Sequence, residues 1–502
     1  MVHRRTLLAA LGTAALKHAA TPAFACALDA EDTEGIDLFD GAAPDTPFEA
    51  DVLVVGAGGA GLAAAISARE AGADVLVLEA AARPGGNTAL SAGFMNAAAD
   101  PGEVEDFVRD TLWSGESRSN PTLVRTLAEG AQKTLEWLAD AGVEFLPKAL
   151  QPYGAVAPRS RRTAVGNGSG YVEPLYRRAR ALGVRFALET RAVRVLPRTA
   201  RDGARALVVV ESRTGDRRDV LVRRALVAAT GGYSGNTRIC ALYEPRLADL
   251  KPTGCARLDG HFMEALRTIG AETVGFDFIG LGTASMATGR YVPGTSGIDR
   301  LIFVDKRGER FYPEDGLCDL FAEAVLQRPG RAVFALFDAV AVRAMRPAER
   351  VGIERALEEG DAFRAATLSD LGNAAGLPVE ALERTVRRFN RAVDEKKDPF
   401  GRHPRLLEHR IAKPPFHLVR LTIGVQLTLG GLRIDKRARV LDRDGHPMGG
   451  FYAAGETTGG VHGTNRLEGN ALAAAFVFGR IAGREAAALP ILTGPPETPP
   501  GV

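Results

Sequence analysis

Apolar positions near residue 50 form two continuous runs, separated by a glycine-rich segment and a helical stretch. The first run, Val52–Val55, is followed by Gly56-Ala-Gly-Gly-Ala-Gly61, and the second run, Val75–Leu78, ends at Glu79. Continuous apolar runs of this length are typical of strands buried in parallel sheets. The pattern predicts a strand, a tight turn, a helix, and a second strand that ends in a carboxylate.

The next part of the chain alternates between helical and strand patterns. Apolar spacing over residues 121–142 predicts a helix, and a second helix is expected from Tyr171 to Leu182. Short β-rich runs with turns between them then predict a meander of strands over residues 184–188, 192–196, 206–211 and 220–222. Residues 225–232 predict a separate buried strand that ends in glycines.

The second half of the chain continues this alternation. Residues 300–406 contain strand and helix patterns, with strong helical periodicity from Leu377 to Val393. A strand pattern surrounds Thr428-Leu-Gly-Gly431, and a last helix is expected from Asn470 to Glu485.

The glycine spacing after the first strand is that of a dinucleotide-binding turn. Gly56 permits the tight turn, Gly58 lets the backbone approach a pyrophosphate, and Gly61 lets the helix pack closely on its strand. The N-terminus of the helix directs N–H groups at the phosphates. A carboxylate at Glu79 can accept both ribose hydroxyls and would repel a 2′-phosphate. Because the glycines stand in the full strand, turn, helix, strand and acid context, we expect a dinucleotide site.

Composition and charge exclude several classes of protein. The chain has 502 residues, of which 46% are hydrophobic, so it can bury a large aliphatic core. A net charge of +2, without basic runs that carry interleaved aromatic residues, argues against a nucleic-acid partner. No apolar run reaches the length of a membrane-spanning helix, so none is predicted.

Cysteine and histidine spacing predicts no metal or haem site. Cys26, Cys240, Cys255 and Cys318 lie far apart and form no Cys-x-x-Cys pair. That spacing excludes a zinc cluster and a covalent haem attachment, and the histidines follow no ligand spacing.

The two termini are expected to lie outside the folded part. His3-Arg-Arg-Thr-Leu-Leu8, a modest apolar stretch and Ala23-Phe-Ala25 predict a twin-arginine export signal over residues 1–25. A disordered, alanine-rich leader is the alternative. An exported protein would be periplasmic or extracellular. Residues 26–48 resemble a flexible extension, and residues 489–502 a Pro-rich tail.

Two later motifs decide which dinucleotide is expected. One is Arg83-Pro-Gly-Gly-Asn-Thr88 with the adjoining segment Ala89–Asn96; the other is Gly450-Phe-Tyr-Ala-Ala-Gly-Glu456 with Gly459–Leu472. A nicotinamide domain needs neither segment, whereas an extended FAD contacts distant parts of the chain. From about residue 50 to about 488, the chain resembles the soluble fumarate reductase group of FAD enzymes. This group also includes urocanate reductases and, more distantly, 3-ketosteroid Δ1-dehydrogenases, and this chain lacks the haem motif of its flavocytochrome members.

The resemblance implies an α/β fold and the cofactor FAD. The expected architecture is a discontinuous Rossmann FAD-binding domain of the glutathione reductase type, residues 49–272 and 408–488, with an inserted α+β capping domain, residues 273–407. In such folds the strand at residues 225–232 returns beside the first strand. The implied cofactor-binding residues are Gly56, Gly58, Gly59, Ala60, Gly61, Glu79, Ala80, Gly86, Asn87, Thr88, Ser91, Gly93, Val193, Thr230, Gly231, Gly455, Glu456, Asn470, Ala471 and Leu472.

The substrate end departs from the fumarate reductases. Asn465-Arg-Leu-Glu-Gly-Asn-Ala471 retains the family motif, and the resemblance makes Arg466 the residue that binds a substrate carboxylate or carbonyl. A glycine near residue 282 stands close to the place of one family histidine, and Gln426 replaces another. Cys318 stands where fumarate reductases have a proton-donating arginine and steroid dehydrogenases a tyrosine. These three changes argue against fumarate as the substrate.

Three side chains have both a catalytic and a structural interpretation, and a fourth has a binding role. The Cys318 thiol is either the proton carrier or a small packed residue, and Tyr312 is either a second proton carrier or a packing residue. Gln426 can donate a hydrogen bond to a substrate oxygen but cannot transfer a proton in the usual sense. His462 either tunes the flavin or makes a structural hydrogen bond.

Three functions are compatible with the sequence. The first is an exported FAD enzyme that transfers hydride between flavin N5 and a CH–CH bond activated by an adjacent carboxylate or carbonyl. The second is an FAD enzyme that carries out the same hydride transfer on a cyclic ketone. The third is a non-catalytic, flavin-binding electron-transfer protein. Because no haem motif or second nucleotide motif is present, we expect a separate electron carrier.

Overall fold

A computed structural model describes residue 38 and residues 48–152, 154–199, 202–295 and 297–492 of the chain. The export signal predicted for residues 1–25 lies outside the described residues, as do most of the predicted N-terminal extension and Pro-rich tail.

The strands, in chain order, are β1 (Phe48–Val55), β2 (Val75–Leu78), β3 (Phe94–Asn96), β4 (Ser160–Arg162), β5 (Arg185–Ala187), β6 (Thr190–Pro197), β7 (Ala206–Ser212), β8 (Arg217–Ala228), β9 (Thr273–Val274), β10 (Ile279–Ser285), β11 (Leu301–Asp305), β12 (Val333–Phe337), β13 (Ala362–Ala365), β14 (Phe416–Thr428), β15 (Gly431–Arg433), β16 (Arg439–Leu441), β17 (Pro447–Ala453) and β18 (Thr458–Gly459). The α-helices are α1 (Gly59–Glu70), α2 (Gly86–Leu90), α3 (Pro101–Ser114), α4 (Pro121–Asp140), α5 (Ser169–Ala181), α6 (Thr237–Tyr243), α7 (His261–Arg267), α8 (Cys318–Leu326), α9 (Ala339–Ala344), α10 (Pro347–Glu358), α11 (Leu368–Ala375), α12 (Val379–Glu395) and α13 (Asn470–Ala488).

The largest sheet is built around the two strands that the sequence pattern predicts first. Its strands run in the order β16, β17, β8, β1, β2 and β5, and β7 and β6 extend it from β8. The strands from β17 to β5 are parallel, whereas β16, β7 and β6 pair in antiparallel fashion. The predicted strand, turn, helix and strand unit is therefore present, and β8 returns beside β1 as expected.

One difference from the sequence prediction concerns β8. The runs at residues 220–222 and 225–232 were expected to be separate strands, but one strand, Arg217–Ala228, contains all of the first run and the first half of the second. Its register with β1 shifts between the pairs Ala50–Val222 and Val52–Ala225. This irregularity places Arg223 against Glu49, at 2.6 Å, and Arg224 against Asp51, at 3.4 Å. Two charged residues interrupt the apolar pattern there without interrupting the strand.

Helices α1 and α13 pack in direct backbone contact against this sheet. A Cβ atom added at Gly479 would lie 2.5 Å from the carbonyl oxygen of Ala60, and one at Gly483 would overlap the carbonyl of Ala64. Gly479 and Gly483 are four residues apart on α13, and their partners Ala60 and Ala64 are four residues apart on α1, in the same order. The two helices therefore run parallel. Their N-termini therefore lie at the same end of the sheet, where each helix directs free N–H groups.

A second sheet forms the core of the capping region. Its order is β10, β14, β12 and β11, and β13 also pairs with β14. All of these pairs are antiparallel. The predicted boundary at residue 408 assigns β14 to the FAD-binding part, whereas β14 pairs with β10, β12 and β13 at the centre of this sheet. The chain returns to the largest sheet later than expected, at β16.

The strong periodicity of residues 377–393 corresponds to α12, which packs its apolar face against a separate hydrophobic cluster of the cap. The helix begins two residues later than the pattern suggested, because Pro378 occupies its N-cap. In the described part of the chain, no helix combines the length and the apolar composition needed to cross a membrane. The predicted α/β class, with mixed sheets, is confirmed.

Candidate active site

A cavity of about 720 Å³ extends from the carboxyl ends of β1 and β2 to the cap. Its walls include most of the predicted cofactor residues, namely Gly56, Gly58, Gly59, Ala60, Glu79, Ala80, Gly86, Asn87, Thr88, Ser91, Thr230, Gly231, Gly455, Glu456, Ala471 and Leu472. At the cap end, four predicted catalytic residues also line it, namely Cys318, Gln426, His462 and Arg466. One continuous space thus joins the two predicted halves of the site.

The glycines of the first turn have different roles. Gly56 has a φ of +105°, and a Cβ there would overlap the Ala229 carbonyl. A Cβ at Gly61 would overlap the Gly56 carbonyl, so this glycine permits the close packing of α1 on the turn. At Gly58, by contrast, the nearest atom to an added Cβ would be 3.7 Å away. The protein itself therefore leaves room at Gly58, and the wall there is open to a ligand.

Glu79 directly follows β2 and is half-buried, with both carboxylate oxygens held in place. Its Oε2 accepts from the backbone N–H of Ala57 at 2.8 Å, and its Oε1 accepts from that of Ala81 at 2.9 Å. Burial raises the pKa of Glu79, while these hydrogen bonds and the nearby Arg257 oppose the change. Each oxygen retains acceptor capacity for a ribose hydroxyl.

Hydrogen bonds connect the three distant segments that form the cofactor end. Thr88 Oγ1 accepts from the Gly59 N–H at 3.0 Å, which connects α2 to the start of α1. Asn87 Nδ2 donates to Glu456 Oε2 at 3.0 Å, and Glu456 Oε1 accepts from the Thr428 N–H at 3.0 Å. Burial raises the pKa of Glu456. The two motifs on either side of the cap are therefore in direct contact.

Four predicted cofactor residues lie behind the cavity wall or beside it. Gly61 and Gly93 allow close backbone packing. The Val193 carbonyl accepts a hydrogen bond when His261 Nε2, 3.1 Å away, carries the proton. The Asn470 side chain contacts protein only, since it accepts from Asn96 Nδ2 at 2.7 Å and donates to Thr111 Oγ1 at 3.0 Å. Direct contact of these four residues with a cofactor remains a prediction.

Arg466 is buried in the wall of the cavity at the cap end. Its Nη1 lies 2.9 Å from Glu468 Oε2, and the side chains of the two residues are 7% and 22% exposed. Burial favours loss of the Arg466 charge, but acidic groups, with Glu468 first, raise the pKa of Arg466 above its ordinary value. The Arg466 Nε is buried and has no hydrogen-bond partner in the described structure. This N–H is available to an oxygen of a bound molecule.

Glu468 is a site residue that the sequence analysis missed. It occupies the variable position of the Asn-Arg-Leu-x-Gly-Asn-Ala motif, and it lines the cavity beside Arg466. Its backbone N–H donates to the Gly154 carbonyl at 3.0 Å, which fixes its position. The signal was present in the sequence as an acidic residue two positions after the predicted substrate-binding arginine.

His462 lies between the cofactor end and Arg466. Burial, together with the positive charge of Arg466, lowers the pKa of His462 to about 3. The imidazole is therefore neutral at physiological pH. Its Nδ1 is buried without a partner in the described structure, so it can exchange a hydrogen bond with a bound group.

A β-bulge directs Gln426 into the cavity. Along the β10–β14 pair, Gly280 lies opposite Leu427 and Leu281 opposite Val425, which leaves Gln426 as the extra residue. Bulges of this kind reorient a side chain next to active sites. A Cβ at Gly282 would lie 2.9 Å from the Gln426 carboxamide, so a glycine on the neighbouring strand provides the space.

Cys318 begins α8 and lines both the main cavity and a smaller one of about 180 Å³. Its sulfur packs against the backbone of Gly154, where a Cβ would overlap it. The smaller cavity also contacts Gln426, Arg466 and Asp319. Burial raises the pKa of Asp319, whose Oδ1 has no partner in the described structure.

Tyr312 does not line either of these cavities. Its hydroxyl donates to the Leu317 carbonyl at 3.2 Å, and its ring packs edge-on against Phe321. Burial raises the pKa of Tyr312 to about 12. These contacts agree with the packing interpretation, in which Tyr312 supports the turn before Cys318.

A buried ion network supports the same turn from the cap side. Arg310 Nε donates to Glu314 Oε1 at 2.9 Å, and its Nη1 lies 2.7 Å from Asp398 Oδ1. Arg402 Nη1 lies 3.2 Å from Glu314 Oε2. All four side chains are at most 4% exposed. Arg310 and Glu314 thus stabilise the cap from within.

Away from the cavity, Asp442, Asp444 and His446 lie close together on a surface turn. Asp442 Oδ1 accepts from the backbone N–H groups of Asp444 and His446, at 3.0 and 2.8 Å. The geometry of this turn explains their proximity.

The glycine turn, the Glu79 carboxylate and the linked C-terminal motif agree with the comparison to known families. Residues 51–472 match the family described as FAD binding domain. The chain belongs to this family. The open wall at Gly58, the acceptor at Glu79 and the unpartnered His462 Nδ1 fit an extended dinucleotide. FAD is the cofactor expected from the sequence, and this expectation is confirmed.

Similar proteins support the resemblance. The chain is 32% identical over 449 residues to a probable fumarate reductase of Shewanella frigidimarina, covering 87% of this chain and 74% of the relative. It is 33% identical over 455 residues to an NADH:fumarate oxidoreductase of Klebsiella pneumoniae, covering 88% of this chain and 48% of the relative. The chain therefore spans about half the length of the first relatives that it matches.

Solved structures agree with these relatives. The open conformation of a flavocytochrome c3 fumarate reductase superposes with a TM-score of 0.70 at 30% identity, covering 90% of this chain and 82% of that one. A 3-ketosteroid-Δ4-(5α)-dehydrogenase of Rhodococcus jostii superposes with a TM-score of 0.68 at 26% identity, covering 90% and 99%. The expected group and the FAD-binding fold are confirmed.

Proposed function

We propose that this protein is a FAD-dependent oxidoreductase that acts on a CH–CH bond activated by an adjacent carboxylate or carbonyl, and that fumarate is not its substrate. The observation that carries the proposal is the single cavity that joins the dinucleotide turn to Arg466, Gln426 and Cys318. A protein that only carried electrons would not need a buried arginine and a cap at the end of its flavin cavity.

The chain's own residues would form the binding site for the cofactor. Backbone groups at Gly56–Gly61, the Glu79 carboxylate, and the Asn87–Glu456 connection would hold FAD in an extended form. When bound, FAD supplies hydride transfer at its N5 atom, and the protein supplies binding, orientation and electrostatics.

Arg466 and Gln426 are placed to bind the activating group of the substrate. As a C–C double bond gains hydride, negative charge develops on the adjacent carbonyl or carboxylate oxygen. The unpartnered Nε–H of Arg466 can donate to that oxygen, and the Gln426 amide can donate a second hydrogen bond from the β-bulge. Donors that are held in place before the reaction stabilise such charge most strongly.

Cys318 is the best-placed candidate for the proton carrier. Its sulfur faces the cavity near Arg466, at the N-terminus of α8, where helix N–H groups favour an anion. The smaller cavity beside it provides a route for solvent protons through the region of Asp319. In the reductive direction, the thiol proton would move to the carbon next to the one that receives hydride.

The substrate remains open within the enoate and enone class. Relatives are named for fumarate, acrylate, urocanate and vinyl phenol, and a structural relative is a 3-ketosteroid dehydrogenase. This chain lacks the family histidines and the proton-donating arginine at the positions of Gly282, Gln426 and Cys318. Losing one charged donor to a transition-state oxygen costs roughly 3 kcal/mol, so fumarate should react very slowly.

We also propose that the twin-arginine signal directs export of the folded holoprotein to the periplasm or beyond, and that a separate carrier exchanges electrons with the flavin. The N-terminal Arg4-Arg5 pair supports export. Changing both residues to lysine should retain the protein in the cytoplasm with its FAD content unchanged. Unaffected export would mean that the leader uses another route.

The decisive experiment uses the purified FAD-loaded protein. The flavin is reduced by light under anaerobic conditions and mixed with a panel of enoates and enones, and reoxidation is followed by absorbance. We expect at least one activated alkene to reoxidise the flavin, and Arg466→Ala, which should retain FAD, to slow the reaction strongly. A holoprotein that no activated alkene reoxidises, and that no saturated acid or ketone reduces, would contradict the proposal.

A further inference from the structure

The positive charge of Arg466 is already paired inside the cavity. Arg466 Nη1 lies 2.9 Å from Glu468 Oε2, and the same Nη1 lies 3.4 Å from the Leu467 carbonyl. Both residues line the cavity at its cap end. A carboxylate of the protein thus occupies one face of the guanidinium that would otherwise bind a carboxylate of the substrate.

The other polar groups at this end do not restore a positive charge. His462 is neutral at physiological pH, because its surroundings disfavour the imidazolium form, and Gln426 is an uncharged amide. Arg466 and Glu468 together contribute no net charge. A substrate that enters here therefore meets polar groups but, among the described residues that line this end of the cavity, no unpaired cation.

The walls contributed by the cap are uncharged, and they combine apolar side chains with the hydroxyl groups of Thr283, Tyr291 and Thr295. Leu281, Phe321, Ile423 and Leu427 line the cavity from the cap sheet and α8. Among the described cap residues that line it, none is Asp, Glu, Lys, Arg or His. This surface suits a hydrophobic molecule rather than a small dicarboxylate.

We infer that Glu468 is a specificity-determining residue that makes this site select a largely apolar substrate activated by an uncharged carbonyl and disfavour the carboxylate analogue of the same shape. This inference rests on the proposed function. Arg466 Nε can still donate to a neutral carbonyl oxygen. A substrate carboxylate at the same place would lie within a few ångströms of the Glu468 carboxylate, without a second free cation to offset the repulsion.

The test compares matched pairs of alkenes that differ in the activating group only. Benzylideneacetone and cinnamate form an aryl pair, and cyclohexenone and cyclohexenecarboxylate form a cyclic pair. For each compound, kcat and KM are measured from anaerobic reoxidation of the reduced holoenzyme, and Kd from changes in the flavin spectrum. In the wild type, we expect kcat/KM for the ketone to exceed that for the acid by at least about tenfold.

Glu468→Gln keeps the shape of the side chain and an oxygen that can accept from Arg466, but it removes the charge. It should shift the ketone-to-acid ratio towards the acid by about tenfold or more, mainly through a lower KM and Kd for the acid. Glu468→Asp retains the charge and should retain the preference for the ketone. As a matched control, Glu272→Gln alters an ion pair with Arg433 (3.0 Å) outside the cavity, and should change neither ratio nor FAD content.

Two results would overturn the inference while leaving the proposed function intact. One is a wild-type enzyme that reduces alkenes but prefers the acid of each pair; the other is a ratio that Glu468→Gln does not change. If no activated alkene reoxidises the flavin and no saturated acid or ketone reduces it, the proposed function fails together with the inference. FAD content and the flavin spectrum of each variant distinguish these results from misfolding.

Discussion

The two ends of the cavity are built in different ways. At the cofactor end, the first turn depends on backbone geometry, and Gly56 and Gly61 are needed there because any side chain would overlap a carbonyl. At the substrate end, the groups that matter are side chains from separate segments, namely Cys318 on α8, Gln426 on β14, and Arg466 and Glu468 before α13. The first end depends on spacing along the chain, and the second on the identity of individual residues.

This difference explains why one end permits little change and the other can be altered. A dinucleotide turn is specified by local geometry, which a single added atom disrupts. The substrate end can exchange histidine, arginine or tyrosine for glycine, glutamine or cysteine without affecting the fold, because these side chains face a cavity. The same scaffold can thus accept different activated alkenes.

The largest expected effect contrasts two glycines of the cofactor end. Gly61→Val should prevent both folding and FAD binding, because its side chain would overlap the Gly56 carbonyl. Gly58→Val should abolish FAD binding but leave a folded apoprotein, since the protein leaves room there. FAD absorbance and circular dichroism of both variants check this. Equal FAD content in Gly58→Val and the wild type would contradict the assignment of the pyrophosphate site.

At the substrate end, Arg466→Ala should reduce kcat/KM for the best alkene by about a hundredfold to a thousandfold, because a donor to a developing oxyanion is lost. FAD content should be unchanged. Arg466→Lys should restore activity only in part, since an ammonium group cannot reproduce the position of the guanidinium Nε–H. Full activity of the alanine variant would show that another group binds the activating oxygen.

A smaller effect separates the two interpretations of Cys318. If the thiol carries the proton, Cys318→Ser should slow turnover by about a hundredfold and change the pH profile. Tyr312→Phe provides the matched control from the same turn, because its hydroxyl contacts the Leu317 carbonyl and not the cavity. Near-normal kinetics and an unchanged pH profile in the serine variant would assign Cys318 a packing role.

The substitution with the smallest expected effect at neutral pH is that of His462. The pKa of His462 in the folded protein is about 3, against an ordinary value of 6.5. Since the unfolded chain binds this proton first, folding stability should fall as pH decreases below about 6.5, by about 3 kcal/mol at about pH 4. His462→Gln should remove this part of the pH dependence. Denaturant titrations of both proteins at several pH values measure the difference, and parallel curves would contradict it.

Much of the fold could be predicted because its signals are local. The runs Val52–Val55 and Val75–Leu78, the glycines between them and the periodicity of α12 each depend on neighbouring residues only. The position of β14 could not be predicted in this way, because its pairing with β10, β12 and β13 joins segments far apart in the chain. Continuity of β8 was hidden by Arg223 and Arg224, whose partners lie on β1.

The site was predictable to a lesser extent. Motif spacing predicted the residues of the cofactor end and Arg466, but the carboxylate that pairs with Arg466 belongs to Glu468, at a position that the motif treats as variable. The bulge that directs Gln426 into the cavity depends on register with a distant strand. The contact that supports a packing role for Tyr312 could not be predicted from its own position, because the turn before α8 places its partner Leu317.

We propose above that the FAD-loaded protein transfers hydride to activated alkenes, and that the substrate end of its cavity differs from that of fumarate reductases. The most direct measurement mixes the anaerobically reduced holoenzyme with fumarate and, separately, with benzylideneacetone, and compares the rates of flavin reoxidation. We expect reoxidation by the ketone and a rate with fumarate at least about two decades lower. Rapid reoxidation by fumarate would contradict this expectation, and would show that a dicarboxylate site is formed by other residues.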